Sequence, residues 1–149
     1  MKQYYKLIML LMWMIVIFLL SNEEASTSSS RSNEIVHLIT TSFYLGLPEE
    51  FLTFLTRKTA HIIAYFILGI LAFNVFHIRI SSIKRTIIVS AAFTLAYAIS
   101  DEIHQLFVPG RSGEIRDVLI DTTAGIIGIV ICYFMYKILS NSKNSNNKV

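Results

Sequence analysis

Four stretches of this chain are apolar nearly all the way round, and that feature settles its solvent. Residues 4–20 contain one charge, Lys6, and residues 60–76 contain none unless His61 is protonated. Residues 86–99 contain none, and residues 118–139 contain only Asp121 and Lys137. A helix on the outside of a soluble bundle shows a polar stripe at a period of 3.6 residues, which these stretches lack. A hydrocarbon core about 30 Å thick needs roughly 17–25 helical residues at 1.5 Å each. Some stretches reach that length unaided; the others do so with flanks whose Lys and Arg heads snorkel outwards. The prediction is an all-α, polytopic membrane protein with four transmembrane helices. They are expected at about 4–20, 60–80, 83–100 and 118–139, in a single domain of 149 residues.

The formal charge of +3 raises the question of nucleic acid, and its distribution answers it. With the N-terminus in the cytoplasm, the inner segments hold Lys2, Lys6, Arg79, Lys84, Arg85, Lys137, Lys143 and Lys148, and no acid. The outer side holds the other five cations and all ten acids, with Asp121 near its rim. Cytoplasmic loops are the ones enriched in Lys and Arg. Both termini are therefore expected in the cytoplasm, with membrane lipid rather than nucleic acid as the partner. The lone cysteine, Cys132, lies inside an apolar stretch and excludes an internal disulfide. The first stretch also has the charged start and apolar middle of a signal peptide. "SNEEAST" after it puts Glu23 three residues before the cut at any cleavage after Ala25, so an uncleaved anchor is the favoured reading.

Between the first two spans lies an outer loop, 21–59. Its first part, 21–33, is Ser-rich and expected to be loose. Its second part, 34–58, carries two short apolar clusters broken by Gly46 and Pro48. Each is too short to span, which predicts one or two interfacial helices; the alternative is a partly ordered loop following the surface. The other outer loop, 101–117, contains Pro109-Gly110, a turn that can fold it back over the helix ends. The polar tail, 140–149, is expected to be disordered. Internal repeats, a phosphate-cradling glycine loop and zinc-type Cys/His pairing are all missing from the sequence.

The ionisable residues concentrate where three spans meet the outer surface. Lys58, His61 and Tyr65 share a face of the second span at i, i+3, i+7. Ser90, Thr94, Tyr97, Asp101 and His104 form a stripe on the third, with Glu102 and Gln105 on the adjacent face. On the fourth, Asp117 and Asp121 are four residues apart, and Gly125 and Gly128 continue that side. Stripes converging at one depth predict an outward-open polar pocket. An acid inside a span costs about 2.5–3.5 kcal/mol on insertion scales, so Asp121 should face the bundle and find a partner. Lys58, Arg111 and Arg116 are the candidate cations for it; the alternative is that the acid is protonated.

Each feature also has a plainer reading. The charges can be ion pairs that tie helix ends together, and His61 can be a hydrogen-bonded helix residue. Ser90 and Thr94 can bond their own backbone carbonyls, and the two glycines read first as packing residues. Glu102 and His104, two apart, point away from each other, so no shared metal is expected there, and neither is a cofactor. No nucleophile sits beside a base in a recognisable motif, so the sequence does not name a catalytic group.

At these residues the chain resembles the VanZ-like family of small bacterial membrane proteins. The matching stretches are "RKTAHIIAYFILGIL" (57–71) and "DEIHQLFVPGRSGEIRDVLIDTTAGIIG" (101–128). The resemblance implies residence in the bacterial cytoplasmic membrane and, through the founding member, low-level resistance to the glycopeptide teicoplanin. Matched by position, its polar residues are Lys58, His61, Tyr65, Glu102, Gln105, Arg111, Asp117 and Asp121. The family often has Asn where this chain has Asp121 and Gly where it has Ala124. The leading expectation is an envelope protein whose outer pocket takes an amphiphile, such as a lipid-linked cell-wall precursor or a lipoglycopeptide. The alternatives are a membrane-embedded transferase or hydrolase, with His61 as base and Asp117 or Glu102 as acid, and a non-catalytic partner subunit.

Overall fold

A computed structural model describes residues 3–42 and 47–146, without the side chains of residues 39, 42 and 141–146. All its regular structure is helical: α1 (Tyr4–Ser21), α2 (Ala25–Ser42), α3 (Glu49–Arg79), α4 (Ile83–Gln105) and α5 (Ile115–Asn146). Four of these, α1, α3, α4 and α5, are long and apolar enough to cross a membrane. Their outward faces carry large apolar side chains in the open, among them Ile8, Met12, Ile88, Ile127 and Phe134. A girdle of that extent is untenable in water and natural against lipid tails. The chain is a multi-pass membrane protein.

Helix α3 is the central staff and packs against α1, α2, α4 and α5. Its buried spine, Tyr65, Leu68, Gly69, Ala72 and Phe73, follows helical spacing. Against α5 it comes closest at glycine. A Cβ on Gly69 would run into the backbone of Gly125, and one on Gly128 into the carbonyl of Phe66. Lipid tails give helices no hydrophobic reason to associate, so such close backbone approach is what holds them. The packing reading of Gly125 and Gly128 holds. Trp13 Nε1 donates to the Ala64 carbonyl at 2.8 Å, and Tyr97 Oη donates to that of Met14 at 2.6 Å, fastening α1 to α3 and α4.

Several expected boundaries move. The Ser-rich segment is not loose; it is the first half of α2. Ser28, Ser32 and Val36 form that helix's buried face. Ser30 and Ser32 donate to the carbonyls four residues back, so their hydroxyls are satisfied without water. Residues 49–58, expected as an interfacial helix, are instead the first ten of α3. Pro48 starts that helix in an extended conformation, and Glu49 and Glu50 follow at its electropositive end. At 31 residues and 1.5 Å each, α3 is roughly 46 Å long, so its first turns rise above a 30 Å hydrocarbon core. Gly46, the other expected break, lies outside the described residues. The second outer loop is shorter than 101–117, because Asp101–Gln105 belong to α4 and Asp117 to α5. Within it Gly110 turns with φ +74°, as the Pro-Gly pair predicts. The tail is helical through Asn146, where disorder was expected; residues 147–149 lie outside the described residues.

Candidate functional site

The C-terminal ends of α1 and α4 meet the N-terminal parts of α3 and α5 at one end of the bundle. Because α3 and α5 run in the same direction, their polar residues pair in register. Lys58 forms an ion pair with Asp117. One turn deeper, His61 Nδ1 lies 3.5 Å from Asp121 Oδ2. The partner of Asp121 is thus His61, and not Lys58, Arg111 or Arg116. Lys58 is taken by the shallower acid, and the imidazole is the only basic group of α3 at Asp121's depth. For the same reason the acid beside His61 is neither Asp117 nor Glu102.

Helix α4 contributes from a face at i, i+4 spacing: Thr86, Ser90, Thr94 and Ala98, then Asp101, Glu102 and Gln105, all buried. Asp101 Oδ2 accepts from Ser21 Oγ at 2.9 Å and from Gln105 Nε2 at 3.4 Å. Glu102 Oε1 accepts the backbone N–H of Glu114, which fixes the entry to α5. Thr94 does bond the carbonyl of Ser90, at 2.9 Å.

The loop 106–114 carries Arg111 over this end. Its Nε donates to Glu23 O at 2.9 Å and its Nη2 to Leu20 O at 3.2 Å, a cation seated on the electronegative end of α1. Burial, and then the nearby charge of Arg57, hold its pKa below the ordinary arginine value.

A cavity of about 100 Å³ lies above these pairs, with Arg57, Lys58, His61, Gln105, Arg111, Asp117 and Asp121 in its wall. A second, apolar cleft runs beside it between α1, α2 and α3, past Ile17, Leu20, Ile35 and Ala64. The two share Arg57, His61 and Arg111.

Of the residues picked out from sequence, Lys58, His61, Gln105, Arg111, Asp117 and Asp121 line the cavity. Asp101, Glu102 and Tyr65 are buried beside it. Two stand apart. His104 faces α1, with Nε2 3.1 Å from Asn22 Oδ1 and its ring against Phe18. Arg116 makes an exposed pair with Glu114. Tyr97 leaves the predicted stripe in the same direction as His104: the two are seven residues apart, share one edge of the helix, and both meet α1. Sequence reasoning passed over Arg57, although it stands four residues before His61 and so on the same face. It also passed over Ser21, for which nothing local signals a partner on α4.

The fold and site define a polytopic helical membrane protein that buries a cluster of carboxylates beside a half-buried histidine at one end of its bundle. The chain matches the VanZ/LLP1 family over residues 6–136 and belongs to that family. No curated protein and no solved structure matches it.

Proposed function

We propose that this VanZ-like protein binds the anionic head group of a lipid-linked or lipidated amphiphile at the outer face of the bacterial cytoplasmic membrane. The observation that carries the reading is the shared wall: Arg57 and Arg111 belong both to the polar cavity and to the apolar cleft beside it. Guanidinium groups match phosphate and carboxylate in charge and geometry. The cavity, at about 100 Å³, is below the roughly 300–1,000 Å³ of drug-sized ligands. It therefore takes a head group, while the apolar part of the ligand lies along the cleft and in lipid. The outward orientation rests on the segregation of every acid to this end and of eight cations to the other. A lipid-linked cell-wall precursor and a lipoglycopeptide such as teicoplanin both have the required amphiphilic chemistry at that face.

The test is susceptibility together with binding. Cells carrying Arg57→Ala/Arg111→Ala should lose any protection against teicoplanin that the unsubstituted protein gives. The purified double variant should retain an anionic polyprenyl phosphate at least 10-fold more weakly in native mass spectrometry. Equal retention and equal susceptibility at normal expression rule the reading out.

One observation favours a second reading: His61, oriented by Asp121, opens into the same cavity. In a transferase or hydrolase acting on a lipid-linked envelope substrate, His61 is then the base. Conversion of a labelled lipid-linked precursor by purified protein separates the two, since a binder leaves it unchanged.

A further inference from the structure

Three carboxylates at or beside the cavity floor, Asp101, Glu102 and Asp121, are buried. Among the described residues none of the three forms an ion pair with Lys or Arg. Lys58 is taken by Asp117, and Arg111 by the carbonyls of Leu20 and Glu23. Buried charge in a membrane protein needs a counter-charge close by. His61 is the one basic side chain in contact, and even protonated it offsets a single acid.

The same floor has the shape of a coordination sphere. One imidazole nitrogen of His61 and one oxygen each of Asp101 and Asp121 lie within 4.8 Å of one another. Donors around a tetrahedral zinc stand about 2.0–2.2 Å from the metal, hence roughly 3.4 Å apart, so a small contraction closes the set. A second observation points to the same place from another helix position. The Tyr65 hydroxyl is buried and makes no hydrogen bond among the described residues. The acids that face it are Asp101 and Asp121. An orphaned buried hydroxyl normally has a partner, protein or otherwise.

We propose that His61, Asp101 and Asp121 form a site for one divalent transition-metal cation of the zinc or manganese class. One imidazole with two carboxylates suits such ions better than calcium or magnesium, which favour all-oxygen shells. The dication offsets two buried acids, and the fourth coordination position holds a water that bonds the Tyr65 hydroxyl. This departs from the expectation of no metal drawn from sequence, which rested on the missing Cys/His pairing and on Glu102 and His104 pointing apart. It does not rest on the head-group reading, because it uses metal binding alone as its measure.

The test uses full-length protein in detergent, its purification tag removed, stripped with chelator and titrated calorimetrically with Zn²⁺ and, separately, Mn²⁺. Metal content is read by mass spectrometry after desalting. About one equivalent of one of these ions should remain per chain. Asp121→Asn and Asp101→Asn should each weaken binding by roughly 100-fold or more, at or beyond the upper end of what outer-shell changes cost. His104→Ala should bind as the unsubstituted protein does. Where Asp101→Asn fails to fold, Tyr65→Phe, which keeps all three ligands, decides: about 10-fold weaker binding is expected of a lost outer-shell bond. No retained metal in the unsubstituted protein, unchanged affinity in Tyr65→Phe, or equal affinity in Asp121→Asn overturns the proposal.

Discussion

The two ends of this bundle are built on opposite plans. At the basic end Arg79, Lys84 and Arg85 stand at the turn between α3 and α4 and make no ion pair among the described residues. At the other end acids are drawn inside and bonded across helices: Asp101 to α1, Asp117 and Asp121 to α3, Glu102 to the start of α5. Topology alone explains the first arrangement, since orientation needs only cations near the surface. It does not explain the second. Acids left exposed at the rim would orient the chain equally well and would escape the cost of burial. The buried carboxylates need a reason beyond topology, and a ligand at this end, as proposed above, would supply one.

The most damaging change should strike both ends at once. Gly125→Leu puts a side chain where Thr94 and the backbone of Tyr65 already lie. With backbone unable to yield, we expect a loss above about 3 kcal/mol, the upper range of overpacking, seen as aggregation or a collapsed melting transition in detergent. Next, Lys58→Ala strands Asp117. Their side chains are about a fifth exposed, so the cost should be about 2–3 kcal/mol, below the 3–5 of a fully buried pair. Asp117→Ala on that background should recover most of the loss. The matching change at the basic end, Lys84→Ala, should stay within about 0.5 kcal/mol. Equal costs for Lys58→Ala and Lys84→Ala would break the contrast between the ends.

Smaller effects sharpen it. Ser21→Ala removes one donor to buried Asp101 and should cost about 1.5–3 kcal/mol if that acid is charged, but nearer 1 if it is neutral. A thermal melt therefore reports the state of the cavity floor. Arg116→Ala, at an exposed pair, should be worth less than about 0.5 kcal/mol in the same assay.

The spans were legible because lipid imposes a simple rule on composition, and the helical stripes because spacing fixes which residues share a face. What the sequence could not supply was the register between helices. Asp121 looked to Lys58 for a partner until the parallel run of α3 and α5 placed His61 at its depth. Nor could it show that α1 packs on the edge of α4 that carries Tyr97 and His104. The Ser-rich α2 misled for another reason. Its composition reads as loose chain, yet small hydroxyls that bond their own helix let it lie close against α3.

The head-group reading proposed for the acid-rich end depends on its facing outward. Substituted cysteines test this most directly, on a Cys132→Ser background in intact cells with a membrane-impermeant thiol reagent. Ser112→Cys, in the cavity wall, should label at once, and Ser82→Cys, at the basic turn, only after the membrane is opened. Labelling of Ser82→Cys in intact cells with Ser112→Cys protected would contradict the account.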